Sequence, residues 1–172
     1  SRHLPRNFYR QAHAASTGRT RKHINRKEKR NTMDFTNEKC VMPIDDSLPL
    51  GLIANTAAIM GITLGQKMPE VVGVDVANRS GRTHLGIIEF PIPILKAPPE
   101  RIKAIREALY EDEFAYLTVV DFSNLAQGCK TYSEFIEKMA QTDEAALSYL
   151  GIALCGNKKK MNKLTGSLPL LR

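Results

Sequence analysis

The chain has 172 residues, 42 % of them hydrophobic, with three cysteines, no tryptophan and a net charge of +7. That length suits about one domain, able to bury roughly 70 % of the surface its unfolded chain exposes. The composition excludes a disulfide-dense mini-protein, a coiled coil and a collagen-like chain, and no apolar run approaches the ~18 residues of a membrane-spanning helix.

The charge is concentrated at the start. Residues 1–32 hold ten basic side chains against a single acid, Glu28, whereas the other 140 residues hold 15 basic and 17 acidic groups. Their scattered Leu4, Phe8, Tyr9 and Ile24 make no face that burial could stabilise, so the segment cannot offset its ordering entropy. It reads as a nucleic-acid arm whose cations release counterions from phosphate, as an Arg-rich, acid-poor transit peptide, or as a tail foreign to the fold, ahead of a start at Met33. His3, His13 and His23 lie in it at a spacing with no metal-ligand logic. The domain proper is expected over 33–172, with His84 as its one histidine.

A first strand is expected over 39–44, ended by Asp45 and Asp46. Ser47 or Leu48 caps a helix with Pro49 in its first turn, where a missing N–H costs nothing. Ile53, Ala57 and Met60 share one side of that helix, and Gly61 or Gly65 stops it. Residues 71–76 and 84–90 flank a polar turn and read as a hairpin-like excursion, with Asp75 and His84 facing each other. Pro91-Ile92-Pro93-Ile94-Leu95 continues extended, and its alternating prolines suit a sheet edge. Pro98-Pro99 opens a helix burying Ile102, Ile105 and Leu109. Residues 114–120 give the strongest strand signal, terminated by Asp121. Thr131 and Glu134 form a capping box, and Thr142-Asp143-Glu144 opens a further short helix. A last strand is expected over 147–155, a helix over 158–164, and then an apolar tail that must dock.

Alternating strands and helices indicate α/β architecture, with a mixed sheet of about four strands between helix layers. No glycine-rich phosphate loop follows any strand, no carboxylate pair has a spacing that demands a metal, and no cofactor is expected. Cys40, Cys129 and Cys155 make an odd count with no C-x-x-C pair. They suggest free thiols in a reducing, cytoplasmic setting, Cys40 and Cys155 in the core and Cys129 in a loop. Ligands of open α/β sheets collect at the carboxyl ends of strands. That rule nominates Asp45, Asp46, Asp121 with Ser123, Asn124 and Gln127, and Asn157, with Asn55 and Thr165 within reach of the same rim. Lys158, Lys159, Lys160, Lys163 and Arg172 make a basic cluster, either a solvated helix face or a phosphate contact.

Four strings occur in the order of a known pattern: 39–45, 48–58, 90–96 and, above all, Asn162-Lys163-Leu164-Thr165-Gly166-Ser167-Leu168-Pro169-Leu170-Leu171-Arg172. Over residues 38 to 172 the chain resembles a bacterial family known only as a domain of unknown function, number two thousand. That family is grouped by fold with the type-two peptidyl-tRNA hydrolases. The resemblance implies a three-layer α/β/α domain of that fold and a homodimer. It also implies departures from the hydrolases. Leu52 follows Gly51 where they carry Lys, Ser167 stands for His, and Pro169 for Lys. Their strand-ending Asp corresponds to Asp121, their Gln a few residues on to Gln127, and their helix Gln to Asn55.

Two functions follow. The first is a hydrolase on an RNA-linked or small acyl substrate, with Asp121 as general base, Asn55 and Thr165 as polar partners, and Gln127, Asn124, Asn162 and Lys163 as binding residues. The alternative is a non-catalytic module that kept the scaffold, lost the catalytic Lys, and binds tRNA, a small ligand or a protein partner. Neither reading involves a membrane.

Overall fold

The computed structural model describes Asp34 and residues 36–172; the basic segment and its three histidines lie outside the described residues. Four strands, β1 (Glu38–Asp45), β4 (Ile94–Ala97), β5 (Thr118–Ser123) and β6 (Tyr149–Asn157), make one sheet in the order β4-β1-β6-β5. β1 runs parallel to β4, whereas β6 is antiparallel to both β1 and β5, giving the expected mixed sheet. β2 (Val76–Ala77) and β3 (Thr83–His84) form a separate two-stranded ribbon, the excursion expected from the polar turn.

Strand alternation divides the core into two layers. Cys40, Met42 and Ile44 of β1 with Ala153 and Cys155 of β6 face helix α1 (Leu50–Lys67), which contributes Met60 and Leu64. Val41, Ile152 and Leu154 face the other way, onto α2 (Pro99–Ala108) and α5 (Lys158–Thr165), which contribute Ile102, Ile105, Met161 and Leu164. Gly151 lets α1 approach β6: a Cβ there would sit 2.9 Å from the Thr56 methyl and 3.0 Å from the end of Met60.

Several local expectations shift for physical reasons. Helix α1 passes through Gly61 and Gly65 to Lys67, with Met68 N–H closing on Leu64 C=O. Burial of Met60 and Leu64 on the sheet outweighs the roughly 1 kcal/mol that each glycine costs a helix. Pro49 is the cap residue of α1, and Asp45, at the end of β1, accepts from Ser47 N–H and Oγ. Residues 114–117 are not strand. A 3₁₀ turn covers Asp112–Phe114, and β5 runs two residues past Asp121, with an irregularity between Phe122 and Ser123. Ser123 then caps a short helix, α3 (Asn124–Gly128), by accepting from Ala126 N–H. Thr131 caps α4 (Tyr132–Met139) by accepting from Glu134 N–H as expected, but the Glu134 carboxylate reaches back to Lys130 N–H.

The end of β6 is shaped by Gly156. Its φ of +143° suits glycine, and a side chain would strike Leu117 at 2.6 Å. Asn157 then accepts from Lys159 and Lys160 N–H and starts α5. The apolar C-terminal tail docks on β4, where Lys96 N–H bonds Pro169 C=O and Leu171 N–H bonds Ile94 C=O, both at 2.9 Å. It therefore covers β4, an outer strand that would otherwise offer unpaired groups.

Cys40 and Cys155 face each other across β1 and β6 and are joined as a disulfide; both are buried. Their place in the core is as expected, but they are not free thiols, so the argument for a reducing setting loses its premise. Two strands brought side by side by the hydrophobic pattern placed in register two cysteines 115 residues apart, a juxtaposition no spacing rule could show. Cys129 is free, its thiol directed at Leu125 C=O. Among the described residues no helix is long and apolar enough to cross a membrane.

Candidate ligand-binding site

Asp121, Asn55 and Thr165 do not meet at one mouth. Asp121 turns to the α2 side of the sheet, where its carboxylate accepts from Arg106 Nε at 2.8 Å. Asn55 lies on α1, on the opposite face, and donates at 3.4 Å to Gln127 of α3. Thr165 is buried at the end of α5, and its hydroxyl donates to Met161 C=O. Asn124 accepts from Ser148 N–H, and Lys163 pairs with Glu113, as does Lys160. Asp75 and His84 do not pair either, because the ribbon register sets them on opposite faces. Asp75 accepts from Gly86 N–H, and His84 Nε2 lies 3.2 Å from the Asn78 amide.

Around Asp121 the polar groups satisfy one another. The Arg106 guanidinium lies 4.1 Å from the centre of the Tyr110 ring, and Tyr110 and Tyr149 both donate to the Glu144 carboxylate. Burial, and then the bond to Glu144, push the Tyr149 hydroxyl well above the ordinary tyrosine range. Here the bonds run from one protein group to another.

A cavity of about 520 Å³ opens on the α2/α5 face near the opposite edge of the sheet, against the start of β1. Of the residues nominated from sequence it gathers Thr165, Asn162 and Lys158 of the basic cluster, and neither Asp121 nor Asn55. Its walls are apolar where Val41, Phe90, Pro91, Pro93, Leu95 and Leu168 line it. Its polar corner is Lys39, whose ammonium donates to Asn162 Oδ1 at 2.6 Å. Lys158 also lines the cavity and donates to Thr36 C=O. Two acids share the lining but turn elsewhere: Glu38 accepts from Asp34 N–H, and the Glu89 carboxylate packs against Gly73. The volume lies within the range of small-molecule sites, and an apolar pocket with a few convergent polar groups is their usual form.

The chain matches a family described as "Protein of unknown function (DUF2000)" over residues 38–172. It is a DUF2000 protein. No curated protein matches it. Among solved structures it is similar to the protein of unknown function Atu0240 from Agrobacterium tumefaciens strain C58. That match has 15 % identity and a TM-score of 0.72, covering 79 % of this chain and 98 % of the other. At that identity the likeness speaks for the fold alone, a mixed α/β domain.

The strings at both ends of the DUF2000 match build the cavity: β1 supplies Lys39 and Val41, and α5 with its following turn supplies Asn162, Thr165 and Leu168. Burial, and then the neighbouring Lys158 charge, hold the Lys39 ammonium below the ordinary lysine range. Among the described residues Lys39 makes no ion pair, only the bond to a neutral amide. A cation so placed favours an anion that replaces the water it lost. Sequence reasoning passed over Lys39, because a lysine at the start of a strand carries no pattern; only the fold reveals that it meets Asn162 at a cavity. Among the described residues no group of three His, Cys, Asp or Glu side chains gathers as a metal site would.

Proposed function

We propose that this DUF2000 domain binds a small amphipathic anion: a carboxylate or phosphate held at Lys39, with an apolar body against Phe90, Leu95 and Leu168. The observation that carries the reading is the cavity itself, about 520 Å³, with an apolar wall and one cationic corner. Of the two expectations raised by the sequence, geometry thus favours the binding module. The hydrolase reading required Asn55, Asp121 and Thr165 at one rim, and it loses support because Asn55 lies on the α1 face and Asp121 and Thr165 are bonded to separate partners on the α2/α5 face. The likeness of the scaffold to the type-two peptidyl-tRNA hydrolases stays part of the proposal, supported by the C-terminal string 162–172.

Octanoate tests the reading, since it combines a carboxylate with a short apolar chain. Titrated into ¹⁵N-labelled full-length protein, it should shift the amide signals of residues 39–41 and 162–168 along a single saturable curve. Charge-assisted hydrogen bonds contribute about 1.5–3 kcal/mol, so Lys39→Met should weaken binding by at least roughly tenfold. Shifts absent at millimolar octanoate, or spread evenly over the surface, would overturn the reading.

A further inference from the structure

The hydrogen-bond parity of β1 narrows the occupant. Lys158 N–H bonds Asn37 C=O at 2.8 Å, in the same antiparallel register that pairs Lys39 with Gly156 and Val41 with Leu154. Odd-numbered residues of β1 therefore bond to β6. Cys40 and Cys155, with Cα atoms 4.2 Å apart, have the close approach of a non-hydrogen-bonded pair. The even-numbered residues point their backbone groups at the opposite edge, as Met42 confirms by donating to Pro93 C=O at 2.9 Å.

Two residues earlier that edge has no partner strand among the described residues. β4 begins only at Ile94, and the segment before it cannot close the gap by donating, because Pro91 and Pro93 have no N–H. Glu38 N–H is taken by Asp34 C=O. The N–H and C=O of Cys40 have no backbone or side-chain partner among the described residues, yet Cys40 is 2 % exposed and lines the cavity. Buried backbone groups are almost always paired. A donor and an acceptor on one residue, spaced along a strand edge, are what a residue of another extended chain satisfies. A fatty chain cannot use them.

We propose that the cavity holds the carboxyl-terminal end of an extended peptide, added as a short strand on the free edge of β1 at Cys40, with its terminal carboxylate on Lys39. Its side chains lie against the apolar wall of Phe90 and Leu168, and the positive charge of Lys39 and Lys158 complements the carboxylate. This inference rests on the cavity being a ligand site and specifies the ligand as a peptide.

The test uses the full-length, oxidised protein and an equimolar pool of N-acetylated tripeptides of Ala, Val, Leu and Phe with free carboxylates. The same pool is prepared as carboxyl-terminal amides and with N-methylated backbones, and octanoate is run alongside. The free acids should bind, the Cys40 amide signal should move downfield as its N–H gains an acceptor, and each modification should weaken binding roughly tenfold. Binding indifferent to either modification overturns the inference. So does binding of octanoate without any peptide, which leaves the cavity reading intact. Failure of octanoate and every peptide pool removes both.

Discussion

The Asp121 edge and the Lys39 corner are both semi-buried and polar, but their bonding differs. At the first, Arg106, Asp121, Tyr110, Glu144 and Tyr149 give and accept among themselves. At the second, a partly desolvated ammonium rests on a neutral amide beside a strand edge whose Cys40 N–H and C=O have no partner among the described residues. A saturated network holds structure together and offers a ligand little; an unsaturated one leaves interaction energy for a partner to collect. Asp121 is thus conspicuous in sequence and paired with Arg106 in space, whereas Lys39 is inconspicuous in sequence and lines a cavity in space.

The largest test of this contrast concerns the Cys40–Cys155 bridge, which ties β1 to β6 behind the Lys39 corner. It closes a long loop, and removing such bridges costs about 2–5 kcal/mol. Reduction by dithiothreitol should lower urea-denaturation stability by that order. Native-state hydrogen exchange should quicken for residues 39–42 before it does for the β5 amides near Asp121; the reverse order would break the contrast.

Arg106→Met is next. It strands the Asp121 carboxylate, which is largely shielded from solvent, at a cost of about 1–3 kcal/mol. Stability should fall while octanoate affinity stays within twofold of wild type. A large loss of affinity would return Asp121 to the binding site. Lys39→Met should do the opposite, with stability within about 1 kcal/mol of wild type and affinity reduced. Tyr149→Phe, which removes one donor to Glu144, should cost about 1 kcal/mol and leave binding unchanged.

The smallest effect is pH. Octanoate is ionised throughout the neutral and alkaline range, so its binding follows the charge on Lys39. Because the folded protein holds that ammonium below the usual lysine value, affinity should be full at neutral pH. It should decline on alkalisation before an ordinary lysine would titrate, and Lys39→Met should show no such decline. A pH-independent affinity in the wild type would separate the carboxylate from Lys39.

Much of the architecture was legible in order and type. The strand–helix alternation indicated the mixed four-stranded sheet, the Ile102–Ile105–Leu109 spacing indicated the buried side of α2, and the apolar tail was expected to dock. Boundaries were less legible. Helix α1 overran its glycines and β5 overran Asp121, because burial against the sheet outweighed local stop signals. The site residues named from sequence came from strand ends, the first helix and the C-terminal string, positions that locate a rim without saying which side chains turn into it. Asn162 and Thr165 reach the cavity, whereas Asn55, Asp121, Asn124, Gln127 and Lys163 are bonded elsewhere.

By itself the sequence determined what local chemistry can determine: where apolar faces recur, where Asn157 and Thr131 can cap helices, and where charge accumulates. Tertiary structure decided which distant groups became neighbours. It set Cys40 against Cys155, Lys39 against Asn162 and Asp121 against Arg106, and among the described residues left one edge of β1 open beside two prolines. Those choices depend on strand register and on which face each side chain takes, and both are fixed by packing across the whole sheet.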